Sequence, residues 1–186
     1  RARAERLSCM AMHMKRTSAP LARYLAIAYA LLVAYASLHP LTGWRDNGVP
    51  VFDYLGAAWP RYYTGFDLAA NILAYLPLGF LLVPALQGRL GIAAAALIAA
   101  LAGGGLGFVL ETLQNFLPSR VPSNIDLACN AIGAMIGAAA GMNWGRALTD
   151  GGHLHRLRTR LAVDGPAADF GLVLLGLWLL AQLNPE

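Results

Sequence analysis

Five long apolar stretches divide the chain, at about residues 21–38, 67–86, 90–110, 125–142 and 168–183, and polar or aromatic segments separate them. Each is close to the ~20 residues that a helix needs to cross the hydrocarbon core of a bilayer. None shows the strict apolar/polar alternation of a half-buried strand. The pattern predicts an all-α fold, a polytopic membrane helical bundle of about five transmembrane helices. The last stretch is the shortest and runs directly into Asn184-Pro185-Glu186, the ending expected of a chain cut from a longer protein.

Composition agrees with this class. Hydrophobic residues make up 58% of the 186 positions and charged residues 13%, a balance that no ordinary soluble domain of this size carries. Gly and Ala are frequent inside the apolar runs, as expected where helices in lipid approach closely and are held by packing. The two cysteines, Cys9 and Cys129, fall in a basic tail and within an apolar run, so they are not expected to pair.

Orientation is expected from the basic residues, which cytoplasmic loops retain. With the N-terminus cytoplasmic, eleven of the fourteen Lys and Arg residues lie inside, and only Arg45, Arg61 and Arg120 lie outside. The long first run has no small-residue cleavage site, so it reads as a retained helix. Residues 1–20 read as a basic, disordered cytoplasmic tail, of which the part before Met14-Lys15-Arg16 resembles an upstream extension. Residues 21–142 form a four-helix membrane domain, 143–167 a basic cytoplasmic loop and 168–186 a fifth transmembrane helix. His153 and His155 in that loop read as a charge anchor for anionic lipid. Seven of the seventeen aromatics lie within residues 39–66. They suit an interfacial belt better than a lid over the outer ends of the helices.

Under this topology the polar helix-end residues converge on one face, the outer one. Asp67-Leu-Ala-Ala-Asn71 and Asp126-Leu-Ala-Cys-Asn130 open two helices alike, each placing Asp and Asn at i and i+4 on one helical face. For each aspartate alone, capping of a helix start is the better explanation. Asn71 and Asn130, one turn deeper among apolar residues, need partners in protein or trapped water. Glu111 differs, because the C-terminal end of a helix disfavours a negative charge. It is expected either to be protonated or to lie near a cation, and Arg120 is the only basic residue in the loop that follows. Two readings stay open: an ion pair Glu111–Arg120 that closes the loop, or a ligand-binding pocket formed by Asp67, Asn71, Glu111, Gln114, Arg120, Asp126 and Asn130. The oxygen-only set would suit a hard divalent cation, but no Cys or His joins it, so a zinc centre is not expected, and no metal and no cofactor are assigned. No nucleophile stands beside a base either, which leaves enzymatic activity open. Gly133-x-x-x-Gly137-x-x-x-Gly141 and the glycines at 103, 104, 105 and 107 predict close helix packing, and Pro77 predicts a kink.

At these residues the chain resembles the VanZ-like family of small bacterial membrane proteins. The matching elements are Asn71-x-x-x-Tyr75-x-Pro77-Leu-Gly79, Glu111-x-x-Gln114-x-Phe116-x-Pro118-x-Arg120 and Asp126-x-x-x-Asn130-x-x-Gly133-x-x-x-Gly137. Members often carry an acidic residue between the arginine and the following aspartate, where this chain has Val121-Pro122-Ser123-Asn124. The resemblance implies a multi-pass protein of the bacterial cytoplasmic membrane, related to a founding member associated with teicoplanin resistance. It points to Asn71, Glu111, Gln114, Arg120, Asp126 and Asn130 as the residues that matter. The expected partners are membrane lipids and a lipid-linked envelope precursor, with no nucleic acid. Three functions are weighed: binding or handling an envelope lipid or lipid-linked wall component, an envelope-lipid enzyme using Glu111 or Asp126 as acid or base, and a structural membrane scaffold.

Overall fold

The computed structural model describes residues 20–59, 63–145 and 171. The predicted tail, the loop with His153 and His155 and, Gly171 apart, the fifth apolar stretch lie outside the described residues. The described residues form helices and connecting loops, with no strand among them. In chain order these are α1 (Pro20–Leu38), the single turn α2 (Asp53–Gly56), α3 (Gly65–Leu90), α4 (Ile92–Gln114) and α5 (Asn124–Trp144). The four long helices match the first four apolar stretches to within a few residues. Three of them, α3 to α5, are long and apolar enough to cross a membrane. The apolar part of α1, Ala22–Leu38, is shorter.

Helix ends follow local chemistry. Helix α3 opens on a reciprocal capping box: Thr64 Oγ1 accepts from the Asp67 N–H, and the Thr64 N–H donates to Asp67 Oδ2 at 2.9 Å. Ser123 caps α5 by accepting from the Asp126 N–H. Between α3 and α4 only Gly91 intervenes, at φ 76°, a conformation that glycine adopts without a Cβ penalty. So short a link forces α4 to run back along α3. Pro77 and Pro84 both lie within α3, which continues as one helix from Gly65 to Leu90.

The centre of the bundle is the parallel pair α3 and α5. A Cβ at Gly133 would overlap the Ile72 carbonyl oxygen, one at Gly137 that of Leu76, and one at Gly79 that of Ala134. Each glycine of one helix therefore sits against the backbone of the other, and the pairs advance together along both chains. The glycine spacing does what its sequence predicts: it removes side chains where two backbones touch. Helix α4 covers this pair through Gly103 and Gly107, which face Ala134 and Asn130.

Helix α1 lies antiparallel against α3. Near one end the Arg23 Nε donates to the Ala85 carbonyl, and midway the Tyr29 hydroxyl meets that of Ala74. The buried residues form two clusters, one around Val33, Tyr75, Leu78, Leu110, Leu117 and Ala134 and a smaller one around Val83, Ala95, Ala99 and Ala138. This arrangement brings the C-terminal ends of α1 and α4 and the N-terminal ends of α3 and α5 to the same end of the bundle.

Candidate functional site

The polar residues at that end have different partners, and the partners separate their roles. Glu111 lies one turn before the end of α4 and is 4% exposed. Its Oε2 accepts the Ser123 N–H at 2.9 Å. The carboxyl is therefore turned away from the carbonyls of its own helix and toward the amide-rich start of α5, where negative charge is favoured. The Ser123 N–H is the group that Asp126 would bind if α5 repeated the capping box of α3. Because Glu111 takes it, the Asp126 carboxyl is released from that duty. It lies beside the Asn71 side chain and within electrostatic reach of Asp67 and Glu111.

Arg120 is not the partner of Glu111 among the described residues. Its Nε donates to the His39 carbonyl at 3.1 Å and its Nη2 to that of Ala36 at 3.0 Å. Gln114 Nε2 donates to the Ser37 carbonyl at 3.0 Å. Together they bind the carbonyl-rich end of α1, where a cation is also favoured by the helix dipole. Of the two readings left open by the sequence, the ion pair is not formed: one bond of Glu111 joins α4 to α5 and two bonds of Arg120 join the 115–123 loop to α1.

Around these groups is a cavity of about 540 Å³. Asn71, Glu111, Gln114, Arg120, Asp126 and Asn130 all line it, as does Tyr75. Of the seven residues named from sequence, Asp67 alone lies off the lining, exposed and engaged with Thr64. One side of the cavity is formed by the polar residues of α3, α4 and α5. The other is formed by α1 through Tyr29, Leu32, Val33, Ala36 and Ser37, most of it apolar. The space is therefore amphipathic.

Two lining groups have no hydrogen-bond partner among the described residues. The Tyr75 hydroxyl and Asn130 Oδ1 are buried and unbonded, on residues that are 2% and 3% exposed. Polar atoms so placed are normally satisfied, by protein, water or a ligand. Tyr75 was legible as the residue one turn beyond Asn71 on the same helical face, but its phenol reads as core until the cavity is seen. The α1 wall carries no polar signature that would have identified it. Among the described residues, no three His, Cys, Asp or Glu side chains converge closely enough to hold a metal ion.

The aromatic loop docks to one side of this space. Phe52 stacks on Phe108 with ring centroids 5.8 Å apart, and the Tyr54 hydroxyl bonds Thr112 Oγ1. The Asn47 amide reaches the Asn115 carbonyl, and Asn124 Nδ2 reaches that of Ala57. These contacts fix the loop to the end of α4 and the start of α5. None of its described residues lines the cavity.

Compared with known proteins, residues 10–144 match the family described as VanZ/LLP1. No curated protein and no solved structure matches the chain.

Proposed function

The chain belongs to the VanZ/LLP1 family of membrane proteins, and we propose that its cavity binds the polar head of an amphipathic envelope molecule, an envelope lipid or a lipid-linked cell-wall component. The observation that carries this reading is the two-sided wall. Asn71, Tyr75, Glu111, Asp126 and Asn130 supply polar contacts on one side, while α1 supplies an apolar surface for the start of an acyl chain on the other. A few placed polar groups against an apolar lining is the usual make-up of a small-molecule site. The size of the cavity suits a headgroup and its first chain atoms.

The cavity end faces the extracytoplasmic side, by the distribution of basic residues. Occupancy there would bear on susceptibility to glycopeptide antibiotics, which act on that face of the membrane. The test is lipid retention by the purified full-length chain, read by mass spectrometry. The wild type retains lipid, whereas Asn130→Leu, which replaces the lining amide by an apolar side chain of similar shape, reduces it at least tenfold while the unfolding temperature is kept. Equal retention by both proteins would sink the reading. Orientation is read separately: a cysteine at Val121, 84% exposed at the cavity rim, reacts with a membrane-impermeant thiol reagent in intact cells. In the same cells, unchanged drug sensitivity after Glu111→Ala and Arg120→Ala, with normal folding, would remove the antibiotic link.

A further inference from the structure

We propose that the cavity selects its occupant by a protonated primary amine, seated between Glu111, Asp126, Asn130 and Tyr75. This rests on the binding reading above and adds the chemistry of the headgroup.

The argument is a count of donors and acceptors around the cavity. Arg120 is the one cationic side chain among its described lining residues, and its Nε and Nη2 are committed to carbonyls of α1. Gln114 is committed in the same way through its amide nitrogen. On the opposite side acceptors are in surplus. Glu111 spends one oxygen on the Ser123 N–H and keeps the other. The Asp126 carboxyl, released from capping, is hydrogen-bonded by the Asn71 side chain and, with two oxygens, keeps further acceptor capacity. Asn130 Oδ1 and the Tyr75 hydroxyl have no partner among the described residues. Two carboxyls and two unbonded oxygens, with no cationic side chain bonded to them among the described residues, form a receptor for a donor-only positive group.

An ammonium has that character: three N–H donors, a full charge and no acceptor. Its charge would lie between Glu111 and Asp126, which take two of its three N–H donors, and the third would go to Asn130 Oδ1 or the Tyr75 hydroxyl. Charge-assisted bonds of this kind are the strong ones, and they offset the cost of holding carboxyls away from water. A quaternary amine has the charge but no N–H, and a glycerol or sugar hydroxyl has a donor but no charge. Neither satisfies both halves of the site.

The experiment uses the full chain incubated with an equimolar mixture of phosphatidylethanolamine, phosphatidylcholine and phosphatidylglycerol, with bound lipid counted by native mass spectrometry. Phosphatidylethanolamine is expected to be retained at least tenfold over each of the others. Glu111→Gln, which keeps an acceptor for the Ser123 N–H, is expected to lower that preference at least fivefold. Tyr75→Phe removes a hydroxyl that has no partner among the described residues. It should therefore lower the preference while the unfolding temperature stays level or rises, a combination that a structural role for the hydroxyl would not produce. Equal retention of the three lipids with no binding of ethanolamine overturns amine selection and leaves the lipid-binding reading standing, whereas retention of no lipid and no ethanolamine overturns both. Displacement of a bound lipid by millimolar ethanolamine supports the ammonium site. Binding of ethanolamine with no preference among the lipids also supports it, and assigns the amine to a soluble ligand.

Discussion

Glu111 occupies the backbone N–H that Asp126 would otherwise hold. In α3 the capping residue and the third residue of the helix satisfy each other, Thr64 with Asp67. In α5 the same exchange is half made: Ser123 accepts from the Asp126 N–H, but its own N–H goes to Glu111, 12 residues earlier in the chain. Two helix starts that read alike in sequence thus end with different aspartates, one used in a cap at the surface and one beside Asn71 at a cavity.

Glu111→Ala leaves the Ser123 N–H without its acceptor at a partly buried helix start. The expected loss of stability is about 1–3 kcal/mol, the cost of an unmade bond at such a place. Glu111→Gln retains an acceptor and should lie much closer to the wild type. Chemical or thermal unfolding in mild detergent separates the two. Equal destabilisation by Ala and Gln would show that the bond to Ser123 does not carry the effect.

Asp67 and Asp126 should behave oppositely despite their matched surroundings. Asp67→Ala breaks an exposed capping box and lowers stability modestly, leaving lipid retention unchanged. Asp126→Asn keeps the N–H bond to Ser123 and should alter stability little, yet reduce retention. Unfolding curves and lipid counts on the same two preparations test both halves.

Close approach of α3 and α5 makes their glycines unequal to those elsewhere. Gly137→Leu drives a side chain into the Leu76 carbonyl and is expected to cost about 3 kcal/mol or more. Gly105 has open space where a Cβ would stand, so Gly105→Ala should be neutral or stabilise by up to about 1 kcal/mol through helix propensity. A thermal scan of the two variants reads the contrast directly.

Arg120 joins the 115–123 loop to the end of α1 through two carbonyls, those of Ala36 and His39. Arg120→Ala should cost about 1–2 kcal/mol. Arg120→Lys should recover only part of it, since a single ammonium does not reproduce a fork spanning two acceptors. Faster hydrogen exchange at the last turn of α1 in both variants would locate the loss there.

Much of this architecture was legible before the fold was known. Length and apolarity of the runs marked four helices to within a few residues, because a backbone in hydrocarbon must satisfy its own hydrogen bonds and a helix does so locally. The glycine spacing marked a face of close contact, since the absence of side chains is itself written in the sequence. Six of the seven proposed site residues do line one cavity, and they share one end of the bundle because helix ends alternate sides as the chain crosses back and forth.

Partner choice was not legible, and it decided what each residue does. Nothing local assigns Glu111 to Ser123, Arg120 to the carbonyls of α1, or Tyr75 and Asn130 to a wall where their oxygens stay unbonded. Those assignments depend on the distance between helices that are far apart in sequence, set by the glycine contact of α3 with α5 and by the position of α1. The sequence by itself determined which segments are helices, which faces pack and which end collects the polar groups, because these follow from hydrophobicity, steric size and chain direction. Only the tertiary structure decided that Glu111 and Arg120 stand apart, that Asp126 lines the cavity beside Asn71 while Asp67 caps its helix, and that an apolar helix closes the polar residues into a cavity.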